Sequence, residues 1–245
     1  MLASLKNHPF GVLATLERTV VLSFAVPRQE LQRLIPPFLA LDTFHDEWGF
    51  VAVAIVRTRH LRPVGFPEWM GNDFLLIGYR VFVRYTNTKG KRLRGLYILG
   101  SETDKRKMTF LGGLFTRYNY TLKALDEMTV GARTTVVSTD GSTSVVVSEV
   151  VGDVPLPTTS VFKDWSEARR FVGPLPFTFS HDESGKSVLI VEGVRTDWEP
   201  RPVSVESHAF TFLEGLGLGE LRLSNAFVID SVPYHWKRGI LEPLP

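Results

Sequence analysis

The chain has 245 residues, of which 44% are hydrophobic and 22% charged, and its formal net charge is +2. This is the balance of a globular protein with a sizeable core, and so small a charge does not indicate a nucleic-acid-binding protein. Cysteine is absent, which excludes disulfides, thiol nucleophiles and thiolate metal sites. Lys6, His8 and Glu17 interrupt any signal-peptide pattern, and no segment approaches the roughly 20 apolar residues of a membrane span. We expect a cytoplasmic protein with no membrane partner.

The first quarter of the chain predicts strands at 19–26, 39–44 and 48–59, with a short helix at 28–35 that two prolines end. Ala52 and Ala54 share one face of the third strand, which indicates close packing or the wall of a lumen. The loop 63–71 carries Trp69 and Met70. Such a loop could cover a pocket, form an oligomer contact or fold into its own core.

A strand hairpin occupies the centre of the sequence. Residues 79–85 alternate strictly, Gly90 can adopt the positive φ of a turn, and the return strand is expected at 93–99. Gly100 then predicts a break, and the polar residues 101–104 resemble a helix N-cap. We expect a helix from about 104 to 115, weakened by two adjacent glycines.

Arg80 stands in an apolar run of this hairpin and faces either a lumen or solvent. In a lumen its guanidinium could bind a substrate carboxylate in bidentate fashion. Arg84 shares its face, so both orientations stay open. Tyr118 and Tyr120 could donate hydrogen bonds to a carbonyl in a pocket, or could simply lie with their hydroxyls at the edge of the core.

Lys105 and Lys107 flank an arginine in the first turn of the predicted helix, where the macrodipole disfavours cations. Such crowding would favour the neutral amine that a Schiff-base nucleophile requires, and Glu102 would lie nearby as an acid or base. The alternative interpretation is a solvated surface turn, the usual fate of a run of like charges.

The second half predicts hairpins at 129–138 with 142–151, and at 177–181 with 187–195. An amphipathic helix at 160–172 is expected to be capped by Ser160, and strands follow at 203–213 and 222–236. The pattern predicts one α+β domain spanning residues 1–245, with a mainly antiparallel and closed sheet.

The sequence contains no further signature of cofactor or metal chemistry. The histidines lack metal-ligand spacing, and the nucleotide-binding and serine-hydrolase motifs are absent, so we expect neither a cofactor nor a metal. His8 is expected in a mobile N-terminus.

Several segments together resemble a known family: VLSFAVPRQELQRLIPPFLALDTF, GYRVFVRY, RGLYILGSET, GLFTRYNYTLKAL, TDWEPRPVSVESHAF and VPYHWKRG. They look like the uncharacterised YqjF-like family, which is grouped with the acetoacetate decarboxylase-like superfamily. The resemblance implies a cone-shaped antiparallel β-barrel with flanking helices and a small-molecule pocket inside. In the decarboxylases a lysine pair follows a Gly-Arg-Glu-like strand end, a place similar to that of Gly100-Ser101-Glu102. The Phe-Pro-Lys-Lys segment is missing here, and Met108-Thr109 stand about where the lysines would fall.

Three hypotheses follow. The first is a pocket that binds a carboxylate or carbonyl compound, with Arg80 as anion anchor, Tyr118 and Tyr120 as donors and Glu102 as a possible acid or base. The second is a Schiff-base decarboxylase or lyase that uses Lys107 or Lys105. The third is a non-catalytic protein that forms a homo-oligomer through the loop 63–71 and the corner at Trp198.

Overall fold

The computed structural model describes residues 5–152, 154–181, 185–196 and 198–244. The strands are β1 Val12–Pro27, β2 Ala40–Leu41, β3 Trp48–Pro63, β4 Asn72–Thr86, β5 Arg92–Thr103, β6 Tyr120–Leu122, β7 Leu125–Val130, β8 Arg133–Ser138, β9 Thr143–Glu149, β10 Phe177–His181, β11 Ser187–Arg195, β12 Arg201–Phe210, β13 Arg222–Trp236 and β14 Ile240–Pro243. The α-helices are α1 Arg28–Gln32, α2 Arg106–Phe115, α3 Trp165–Val172 and α4 Thr211–Glu214, and a 3-10 turn spans Glu68–Met70.

The main sheet closes on itself. Its central path runs β11-β10-β5-β4-β3-β1-β13, and β11 pairs again with β13, so that seven strands form a ring. Only the β5–β10 and β5–β6 pairings are parallel among the described strands. The predicted α+β class and the mainly antiparallel, closed sheet are therefore confirmed. The predicted hairpin of β10 and β11 and the long strand β13 have the expected bounds.

Side-chain alternation gives the ring two buried faces. On β4, Tyr79, Val81 and Val83 pack into one core, which the small sheet of β7, β8, β9 and β12 covers. Arg80 and Phe82 point to the other face, where α3 packs against part of the sheet. Because both faces are buried, the long strands of the ring are apolar almost throughout.

The expected break at Gly100 is wrong, because β5 continues through it to Thr103. A Cβ at Gly100 would lie 2.7 Å from Cε2 of Phe212, so glycine is needed here for close packing. Helix α2 starts at Arg106, and Asp104 does not cap it. Instead, Oδ1 of Asp104 accepts a hydrogen bond from the main-chain N–H of Leu75 at 2.9 Å.

The helix expected at 160–172 begins only at Trp165. Its N-cap is Asp164, whose carboxylate accepts a hydrogen bond from the N–H of Glu167 at 2.8 Å. The hydroxyl of Ser160, the predicted cap, donates instead to the carbonyl of Ser224 at 2.8 Å. Ser160 therefore attaches the segment before the helix to β13.

Three other expectations need correction. Residues 129–138 are not one strand, because Gly131 adopts φ +60° and turns β7 into β8. The strand expected at 39–44 is reduced to Ala40–Leu41. The loop 63–71 does not fold into its own core: Phe66 is 50% exposed and Trp69 82% exposed.

Candidate functional site: a cavity with an enclosed arginine

A cavity of about 320 Å³ lies where the inner faces of the ring strands converge. This volume is at the lower end of the range found for small-molecule sites. All seven ring strands contribute side chains, and so do α2, the segment 116–120 and the end of α3. Its polar lining includes Thr19, Arg62, Arg80, Ser101, Tyr118, Tyr120, Thr178, Arg195 and Tyr234.

The guanidinium of Arg80 is enclosed in this cavity. Of the two orientations that the sequence left open, the structure has the lumenal one, and Arg80 lies beside three tyrosines. Its Nε is buried without a hydrogen-bond partner among the described residues. Desolvation lowers the pKa of Arg80, and interactions with Tyr234, Tyr120 and Tyr118 oppose this effect. The group nevertheless stays charged, because an arginine retains its proton in proteins.

Arg84, which shares the face of Arg80, lies farther along β4 and has a different environment. Its guanidinium forms an ion pair with the buried carboxylate of Asp42, which also pairs with Nε of Arg94 at 2.6 Å. The carboxylate of Asp42 is therefore shared by two arginines. Arg80 has no such partner among the described residues, and this difference makes it the candidate binding group.

Burial keeps the hydroxyls of Tyr118 and Tyr120 protonated at neutral pH, because it raises the pKa of each phenol. Burial raises the pKa of Tyr120 to about 12, although Arg80 opposes the shift. Burial also raises the pKa of Tyr118, whose hydroxyl has no hydrogen-bond partner of ordinary geometry. The hydroxyl of Thr178 lies close enough to lower that pKa slightly, without reaching such geometry. These phenols can therefore donate hydrogen bonds to a ligand.

The end of α2 fixes the positions of Tyr118 and Tyr120. The hydroxyl of Thr116 donates to the carbonyl of Gly112 at 2.8 Å and accepts from the N–H of Tyr118 at 3.3 Å. Tyr120 then pairs in parallel with Ser101 of β5. The ring of Tyr120 packs directly on Gly112, where any Cβ would overlap it. Gly112 is therefore needed for packing within a helix that it weakens.

The lining contains cations but no acid in the part of the chain that the structure describes. Besides Arg80, it includes Arg62 and Arg195. Arg62 donates to the carbonyls of His60 and Phe66, and Arg195 donates to those of Pro174 and Leu175. These two arginines are thus engaged with main-chain oxygens, whereas Arg80 is not.

The predicted catalytic lysines lie outside the cavity. Lys105 and Lys107 are both exposed, and Nζ of Lys105 pairs with Asp104 at 3.1 Å. No lysine among the described residues lines the cavity, and Met108 is the residue of this turn that does. Helix α2 starts at Arg106 and presents Met108 inward, so Lys105 and Lys107 face solvent.

Glu102 also lies outside the cavity, on the opposite face of β5. Its carboxylate accepts a hydrogen bond from Tyr79 at 2.9 Å and lies 3.5 Å from Nζ of Lys123. Desolvation and the charge of Glu102 raise the pKa of Tyr79. Strand alternation explains the placement, since Ser101 points to the cavity and Glu102 therefore points away.

His8 is buried and lines the cavity, in contrast to the mobile terminus expected from the sequence. Its ring lies 5.2 Å from that of Tyr118, and its Nε2 has no hydrogen-bond partner among the described residues. Burial lowers the pKa of His8 to about 4, so the imidazole is neutral at pH 7. Backbone hydrogen bonds to Phe115 and Gly239 hold the segment in place.

Tyr234 and Thr178 are among the cavity residues that sequence reasoning did not identify. Tyr234 lies on β13, far from Arg80 in sequence, and only closure of the ring brings the two together. A weak signal was present: Gly193 on β11 has no room for a Cβ, because the hydroxyl of Tyr234 occupies that space. Glycine in a strand often marks such a close approach.

The described part of the chain contains no group of three or more His, Asp or Glu side chains placed to hold a metal ion. None of its helices combines the length and the apolar composition that a membrane-spanning helix needs.

Residues 13–233 match the model of the DUF2071 family, described as an uncharacterized conserved protein. No curated protein matches the chain by sequence. Among solved structures, it is similar to acetoacetate decarboxylase from Legionella pneumophila subsp. pneumophila str. Philadelphia 1, with 15% identity and a TM-score of 0.58 over 94% of this chain and 86% of that one.

An acetoacetate decarboxylase-like enzyme from Sphingomonas wittichii RW1 gives 14% identity and a TM-score of 0.59 over 96% and 93% of the two chains. The enduracididine biosynthesis enzyme MppR, complexed with pyruvate, has 12% identity to this chain and a TM-score of 0.54, over 94% of this chain and 89% of MppR. At these identities the similarity shows the fold alone. The acetoacetate decarboxylase-like fold that the sequence resemblance implied is thereby confirmed.

Proposed function

Since the chain belongs to the uncharacterised conserved family DUF2071, with an acetoacetate decarboxylase-like fold, we propose that its cavity binds a small organic carboxylate through Arg80. The observation that carries this proposal is the enclosed guanidinium without a carboxylate partner among the described residues. Burial of an unpaired charge costs several kcal/mol, and an anionic ligand would offset that cost. MppR, a protein of the same fold, binds the carboxylate pyruvate, which is consistent with the proposal.

The geometry also suggests how the ligand would be held. A carboxylate can accept two parallel hydrogen bonds from one guanidinium, which fixes its plane as well as its position. The hydroxyls of Tyr118, Tyr120 and Tyr234 lie around Arg80 and would supply further donors. Inside an enclosed, mostly apolar cavity such bonds are stronger than in water.

Titration calorimetry with hexanoate and its uncharged analogue hexanamide tests the proposal. The wild type should prefer hexanoate by about tenfold or more, and Arg80→Gln should abolish the preference. Arg106→Gln, which removes an exposed arginine of α2, is the control and should leave the preference unchanged. A retained preference in Arg80→Gln would overturn the proposal, and so would the failure of hexanoate to bind the wild type.

A carbonyl compound is the second candidate, and the unpartnered hydroxyl of Tyr118 favours it. A neutral ketone such as 2-heptanone would then bind independently of Arg80 and weaken several-fold in Tyr118→Phe, since one hydrogen bond contributes about 0.5–1.5 kcal/mol. Equal binding to wild type and Tyr118→Phe would count against this candidate.

The hypothesis of a lysine-based mechanism can be tested separately. Borohydride reduction in the presence of pyruvate or acetoacetate would trap a Schiff base as a mass increase on the reacting lysine. We expect no adduct on Lys105 or Lys107, because both lie outside the cavity. An adduct on either would instead support the lyase hypothesis.

A further inference from the structure

The cavity has a polar region around Arg80 and a largely apolar wall. The polar region consists of Arg80 with Tyr118, Tyr120, Tyr234 and Thr178. The wall is formed mainly by aliphatic and phenylalanine side chains of the ring strands: Val21, Ala52, Ala54, Val56, Leu76, Phe82, Leu96, Phe227, Ile229 and Val232. A ligand that fills this space needs a large apolar surface and a polar group at one position.

The small residues of the wall lie directly beside Arg80. In the β3–β4 register, Ala52 pairs with Arg80 and Ala54 pairs with Gly78. Directly opposed side chains on neighbouring strands lie about 5 Å apart at their Cβ atoms. Three small residues, Ala52, Ala54 and Gly78, therefore lie next to Arg80. The volume that larger side chains would occupy there is part of the cavity.

The charge inventory limits the ligand further. Arg62 and Arg195 already donate to main-chain carbonyls, so a second carboxylate would meet no equally free cation in the described lining. A ligand ammonium group would also lack a carboxylate partner there, and an unpaired buried charge is costly.

On these grounds, and resting on the proposed function, we infer that the ligand is a monocarboxylate with an apolar body and no amino group. Its carboxylate lies at Arg80 and its hydrocarbon or aryl body against Ala52, Ala54 and Val21. The inferred class excludes dicarboxylates and amino acids.

Two pairs of probes test this class by calorimetry near neutral pH. Hexanoate and hexanedioate differ by a second carboxylate, and 4-methylpentanoate and leucine differ by one amino group. The wild type should bind the first member of each pair at least about tenfold more tightly than the second. The second member would bury a charge that has no partner in the cavity, and this lowers its affinity. Equal affinities within both pairs would overturn the inference. The proposed function would still stand if Arg80→Gln abolished binding of all four.

A wall variant tests the position of the body. Ala54→Leu should lower the affinity for hexanoate by about fivefold or more and change the affinity for acetate little, because the larger side chain fills space that only the longer ligand occupies. Ala209→Leu, at an exposed position of β12, is the matched control. If Ala54→Leu does not fold, Ala52→Val adds a smaller side-chain volume at the same wall. Unchanged hexanoate affinity in a folded wall variant would contradict the assignment.

Discussion

Gly78 lies under the guanidinium of Arg80, two residues along the same strand face. A Cβ added to Gly78 would lie 2.9 Å from Nε and 3.1 Å from Nη2 of Arg80. The arginine therefore folds back over a position that only glycine leaves open. On the neighbouring strand β3, Ala52 lies opposite Arg80 and Ala54 lies opposite Gly78, and both side chains are small. The sequence thus makes room for the one cavity cation that has no partner among the described residues.

Gly78→Ala should displace the guanidinium without removing it. Hexanoate affinity should fall by about tenfold, since the geometry of a bidentate arginine tolerates little displacement. Gly113→Ala is the control, because a Cβ there meets nothing within 4 Å. Calorimetry on both variants checks the prediction, and an unchanged affinity in Gly78→Ala would show that the position of Arg80 is not critical.

Arg80→Met should stabilise the unliganded protein. It replaces an enclosed cation with an apolar side chain of similar length, a change that raises the free energy of unfolding by about 1–4 kcal/mol at buried ion sites. Urea unfolding followed by tryptophan fluorescence measures this difference. A clear loss of stability would mean that Arg80 serves the fold rather than a ligand.

Glu102→Gln should affect stability and not binding. Glu102 is 6% exposed, and its carboxylate joins Tyr79 of β4 to Lys123 on the face away from the cavity. Loss of its charge should lower the free energy of unfolding by about 1.5–3 kcal/mol, the range for hydrogen bonds to charged groups. Hexanoate affinity should stay within twofold of wild type. A loss of hexanoate affinity in a folded variant would mean that Glu102 contributes to ligand binding.

The burial of His8 predicts a pH dependence of stability. Its pKa is about 4 in the folded protein and 6.5 when solvated, so the unfolded chain binds the extra proton between these values. Stability should therefore decrease by about 3 kcal/mol as the pH falls from 6.5 to 4, and level off below 4.

His8→Asn should reduce this slope, which denaturant unfolding at a series of pH values measures. Asparagine tolerates the φ of +49° at this position. His60→Asn alters a histidine whose side chain is 43% exposed, at φ +54°, and controls for the substitution itself. The same slope in His8→Asn and wild type would contradict the assignment.

Local alternation was sufficient to predict much of the ring. The hairpin of β4 and β5 and the hairpin of β10 and β11 follow from period-two patterns and turn residues. Glycine was the ambiguous signal. Gly131 makes a turn through its positive φ, whereas Gly100 lies within a strand against Phe212. Tertiary contacts distinguish these two uses, and the sequence alone does not show them.

The site was only partly predictable for the same reason. Arg80 and Arg84 share a strand face, and nothing local distinguishes the arginine paired with Asp42 from the one in the cavity. Tyr234 joins the cluster only because β13 closes the ring. Lys105 and Lys107 lie outside the cavity because the phase of one helix turn decides which residue faces inward, and that residue is Met108.

The central claim is that a carboxylate binds at Arg80, and a crystal structure with 4-iodobenzoate tests it most directly. Anomalous scattering locates the iodine independently of the phases for the rest of the ligand. The account predicts iodine against the apolar wall near Ala54, with both carboxylate oxygens about 3 Å from the Arg80 guanidinium. Iodine beside Arg80 with the carboxylate directed elsewhere, or a ligand bound only outside the cavity, would contradict it.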